Sequence, residues 1–83
     1  MSAVHMSATE AGVLSVVERQ GEVRTRRTLD LHNDALELER CGILSRLAGA
    51  GLVRQASSTE VEIAYVITDA GRAALAELDA RRG

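Results

Sequence analysis

The sequence predicts an α+β fold, mainly α, in which three helices lead into a two-stranded hairpin and a C-terminal helix closes the chain. Three observations predict it. Apolar residues recur at helical spacing in two stretches before residue 50, the period changes at Leu52 to the alternation of strands, and helical spacing returns after Thr68. At 83 residues the chain has room for one core, shared by every element.

Residues 1–6 carry no periodic pattern and are expected to form a disordered tail, leaving 7–83 as the domain. Ser7 or Thr9 can cap the first helix, with Glu10 in capping-box register to Ser7. Val13, Leu14 and Val17 then repeat at helical spacing until Gly21. Residues 22–27 read as an extended connection into a short helical turn from Thr28 to His32. Asn33 or Asp34 offers the next cap, ahead of the longest helix, whose apolar positions are Leu36, Leu38, Cys41, Ile43, Leu44, Leu47 and Ala48. Gly49 and Gly51 close it, and its Leu44, Leu47 and Ala48 edge is expected to face the core. Leu52 to Gln55 forms a short strand, Ala56 to Glu60 a polar turn, and Val61 to Ile67 the returning strand of a hairpin. Thr68 or Asp69 caps the last helix, which carries an apolar stripe of Ala70, Ala73, Ala74, Leu75 and Leu78.

Composition limits both stability and function. The chain has no Phe or Trp and one Tyr, so the core depends on aliphatic side chains that each contribute about 1.5–3 kcal/mol when fully buried. A domain this small buries a modest share of its surface, and a dimer partner would help. Its surface for a second copy is expected on the last helix, Ala73 to Leu78, against helix one of the partner. Twelve acidic residues against ten basic ones, all Arg, give a net charge of −2, which does not announce a nucleic-acid binder. No apolar run approaches the ~20 residues that span a bilayer. One cysteine and no secretory signal pattern make a reducing cytoplasm the expected compartment. His5, His32 and Cys41 fit no ligand spacing, no Gly-rich phosphate loop follows a strand, and no Ser, His and acid grouping emerges from spacing. The expectation is therefore a non-enzyme without metal or cofactor.

The stretch Leu44-Ser-Arg-Leu-Ala-Gly-Ala-Gly-Leu-Val-Arg54 resembles the end of a recognition helix running into a strand, as in the MarR-type regulators. The stretch Tyr65-Val-Ile-Thr-Asp-Ala-Gly-Arg-Ala-Ala-Leu75 is similar to their last wing strand and the helix after it. The resemblance covers nearly half the chain and implies a winged helix-turn-helix, with double-stranded DNA as partner and transcription regulation, as a dimer, as function. The first half departs from it. Where such a domain presents polar or basic side chains to the major groove, this chain has Asp34-Ala-Leu-Glu-Leu-Glu-Arg40. Arg40 also stands where such domains carry a core residue, and Thr28 to His32 is short for a positioning helix.

Two function classes follow. For a DNA-binding regulator, the basic cluster Arg24, Arg26 and Arg27 is the candidate grip on phosphates, and Arg54, Ser57 and Ser58 on the wing are candidate contacts, with Glu60 and Glu62 opposing them. The cluster has a plainer reading as a solvated edge paired with Glu18, Glu22 and Asp30. For the alternative, a protein-interaction module such as a phage or mobile-element protein that binds and inhibits a host protein, the candidate surface is Leu36, Glu37, Leu38 and Glu39. Its plainer reading buries both leucines in the core.

Overall fold

The computed structural model describes residues 6–30 and 32–82. The fold is α+β and mainly helical, with three helices and one three-stranded antiparallel sheet. The order is α1 (Ala8–Gln20), β1 (Val23–Arg26), α2 (Ala35–Gly49), β2 (Val53–Ser58), β3 (Glu62–Ile67) and α3 (Asp69–Arg82), and the strands lie in the order β1-β3-β2. The expected tail is described only at Met6, which is half-buried against the core; residues 1–5 lie outside the described residues.

Helix α1 starts with the anticipated capping box. Ser7 Oγ accepts from the Glu10 N–H at 3.1 Å, and Glu10 Oε1 accepts from the Ser7 N–H at 3.0 Å, so two donors at the helix start are satisfied reciprocally. Gly21 ends the helix at φ +82°, a left-handed conformation that favours glycine.

The connection over 22–27 is more than extended: Val23 to Arg26 is a full strand. Val23 pairs with Tyr65 and Thr25 with Ile63, so the expected two-stranded wing belongs to a sheet of three. The physical reason is alternation, with two β-branched residues buried on one face and Arg24 and Arg26 exposed on the other.

The short helix expected over Thr28 to His32 does not form among its described residues; Leu31 lies outside them. Asp30 explains this, because its carboxylate accepts from the His32 N–H at 2.8 Å and from Asn33 Nδ2 at 3.2 Å. These local bonds compete with helical ones. Asp34 follows at the cap of α2, yet its carboxylate accepts from the Asp30 N–H at 2.8 Å rather than from the helix it precedes.

Strand β2 runs through Ser58, three residues beyond the sequence reading, and a register irregularity between Gln55 and Ser57 absorbs one residue. The tip shrinks to Thr59 to Val61, where Thr59 Oγ1 accepts from the backbone N–H groups of Val61 and Glu62. Leu14 and Val17 of α1, Ile43, Leu44 and Leu47 of α2, and Val23, Val53, Tyr65 and Ile67 of the sheet form the core. Helix α3 sits on its margin through buried Gly71 and Ala74 and half-buried Leu75 and Leu78.

Candidate functional site

All the expected site residues but Arg54 belong to β1 and the residue after it, the hairpin end and the start of α2, and Arg26 and Arg27 tie these three places together. The strand alternation that buries Val23 and Thr25 puts Arg24 and Arg26 on the solvent side. Arg24 does not stand free: its Nε meets Glu22 at 3.2 Å and its Nη1 meets Glu62 at 3.0 Å. Glu62 arrives there because Arg24 pairs with Ala64 on β3, two residues further along the same face.

Arg26 reaches across to α2, donating to Glu37 Oε1 at 3.0 Å and to the Asp34 carboxylate. The Asp30 N–H, helped by the Arg26 guanidinium, holds the Asp34 carboxyl below the usual aspartate value. Arg27 folds over the hairpin tip, where its Nε donates to the Thr59 carbonyl at 2.6 Å and its guanidinium to Ser58 Oγ. Each of the three clustered arginines thus has partners within the chain. Of the three carboxylates expected to neutralise the cluster, only Glu22 does so; Glu62, Asp34 and Glu37 supply the rest.

Of the wing residues, Ser58 joins this knot as the acceptor from Arg27, and Arg54 stands apart from it. Ser57 and Ser58 end β2 rather than forming a turn, opposite Ala64 and Ile63. Arg54 lies nearer the other end of β2, in a shallow cavity of about 600 Å³ with Arg72 and the start of α3. Arg54 is exposed and forms no ion pair among the described residues, whereas Arg72 meets Asp69 at 3.2 Å.

The start of α2 presents a different chemistry. Leu36 is 83% exposed, so the reading that buried both leucines fails for this one. Leu38 is half-buried and lines a cavity of about 320 Å³ with Cys41, Ile63 and Tyr65. Glu37 is held by Arg26, while Glu39 projects into solvent without an ion pair among the described residues.

Two features escaped the sequence reading. Arg40 borders an apolar cavity of about 220 Å³ between α1 and α2. Arg46 meets Glu10 at 3.0 Å, tying the end of α2 to the start of α1. Both depend on how two helices cross, which no local spacing encodes. His5 lies outside the described residues, and no group of three His, Cys, Asp or Glu able to hold a metal ion occurs among them. Nor is any helix among the described residues long and apolar enough to cross a membrane.

No family model, curated protein or solved structure matches the chain.

Proposed function

We propose that the chain is a winged-helix module that works by binding a protein through the start of α2, and not by reading DNA. The order helix, strand, helix, strand, strand, helix supports the winged-helix reading, with no helix among the described residues of 28–33, where the resemblance calls for a positioning helix.

The observation that carries the functional reading is the state of the basic cluster. Arg24, Arg26 and Arg27 already satisfy carboxylates and hairpin oxygens of their own chain, and the exposed acids Asp30 and Glu60 lie next to the residues these arginines bind. A phosphate approaching this surface meets carboxylates as well as guanidinium groups and releases few counterions. Exposed Leu36, flanked by Glu37 and Glu39, instead offers an apolar contact with a charged rim. No catalytic grouping or cofactor enters this reading.

A second reading, DNA binding in transcription regulation, is favoured by one observation: exposed Arg54 has no carboxylate partner among the described residues and shares a hollow with Arg72. In that reading Arg54, Ser57 and Ser58 touch the DNA backbone.

A photo-crosslinking amino acid placed at position 36 or at position 54 in producing cells separates the two. The protein-binding reading predicts a protein adduct from position 36 and no nucleic-acid adduct from position 54. Nucleic-acid adducts from position 54, with none to protein from position 36, would reverse the assignment.

A further inference from the structure

Resting on the protein-binding reading, we infer that the partner seated on the start of α2 is a second copy of this chain. One helical face of α1, formed by Thr9, Gly12, Val13 and Val16, meets the Arg40 side of α2 over Val23 and leaves an apolar cavity of about 220 Å³. Gly12 is part of its lining, and a Cβ built there meets nothing within 4 Å. Leu36 lies four residues before Arg40, on the same face of α2, and is 83% exposed. The molecule therefore carries an apolar knob one turn away from an apolar hole.

Knob and hole adjacent on one surface are what a two-fold interface requires, since residue i meets residue j and j meets i across the axis. With the axis passing between Leu36 and the cavity, each Leu36 enters the partner's cavity. The charges match the same operation. Glu39 and Arg40 are both exposed and form no ion pair among the described residues, and neighbouring positions on a helix diverge too far to pair with one another. Across the axis, Glu39 of one copy comes to Arg40 of the other, twice. Charge complementarity and the self-matching shape select a second copy over an unrelated partner, and this face shares only Gly12 with the α1–α3 groove on which Ala73 to Leu78 would dimerise.

Sedimentation equilibrium of the full chain tests the inference. Self-association in the micromolar range is expected for the parent. Leu36→Asp and Gly12→Gln are each expected to raise the dissociation constant about thirty-fold or more, as central contacts do. Both positions are solvent-facing, and Gly12→Gln improves helix propensity, so circular dichroism should show a retained fold. Arg40→Glu should weaken the dimer, and adding Glu39→Arg should restore it. A parent that stays monomeric at millimolar concentration overturns the inference. So does a dimer that Leu36→Asp leaves intact, whatever Gly12→Gln does, since Gly12 also lines the α1–α3 groove and the interface then lies elsewhere. Either failure leaves the protein-binding reading to the position-36 adduct: an adduct to a different protein keeps that reading while removing self-association.

Discussion

Arg26 and Glu37 join two elements that no local pattern connects: the guanidinium at the end of β1 lies 3.0 Å from the carboxylate in the first turn of α2. The same guanidinium holds Asp34, so the arginine nearest the helix start is occupied from within. This neutralisation separates the account from one based on resemblance, in which Arg26 grips a phosphate.

Replacing both acids, Asp34→Asn with Glu37→Gln, frees Arg26 and removes two negative charges. The double variant is expected to acquire weak, salt-sensitive affinity for random duplex DNA that the parent lacks, read by fluorescence anisotropy. Equal affinity in the two proteins would show that these carboxylates do not guard the surface.

Gly71 approaches the Leu52 carbonyl so closely that a Cβ at position 71 would lie 2.2 Å from the oxygen and 2.6 Å from Ile67 Cγ1. The backbone oxygen cannot move without disturbing its bond from the Thr68 N–H. Gly71→Ala is therefore expected to destabilise by about 1–3 kcal/mol despite improving helix propensity, as overpacking does. Thermal melting should show a drop on the order of 4–8 °C per kcal/mol for a domain of this size. An unchanged or raised midpoint would mean that α3 does not dock as described.

The Ser7 cap and Arg46 make stability depend on acid. The Ser7 N–H foremost, and then Arg46, hold the Glu10 carboxyl below its usual value. The Asp30 N–H does the same for Asp34. A carboxylate whose folded value is depressed contributes stability that is complete above its unfolded value and is lost as pH falls through the folded one. Stability measured by chemical denaturation should therefore fall as pH is lowered through the ordinary carboxyl range and below it, and Glu10→Gln should flatten that fall. Ser7→Ala should cost about 1 kcal/mol at neutral pH. A Glu10→Gln acid profile that overlays the parent's would contradict the assignment.

Elements whose signals are local were legible in the sequence: the Ser7–Glu10 box, Gly21 and Gly51 at positive φ, and the change of period at Leu52. Strand β1 was read only as extended, because four residues with two arginines look like a connection until Tyr65 and Ile63 arrive beside Val23 and Thr25. The turn at Asp30 was missed for a related reason. The helical turn expected from Thr28 to His32 does not form among the described residues, where side-chain bonds that a sequence pattern does not weigh compete with it. At the candidate site, the clustering of arginines and the exposure of one leucine were within reach. Their partners were not, since Glu62 is 38 residues from Arg24 and reaches it only through the register of β3.

Whether the chain binds duplex DNA at all is read by anisotropy of a labelled random duplex titrated with the parent chain, from about 50 to 200 mM salt, the range over which phosphate-driven affinity falls steeply. No saturable binding is expected even at the lowest salt. Binding that is tight at low salt, falls steeply across the range and disappears in Arg54→Ala would contradict it and make this chain a DNA-binding domain.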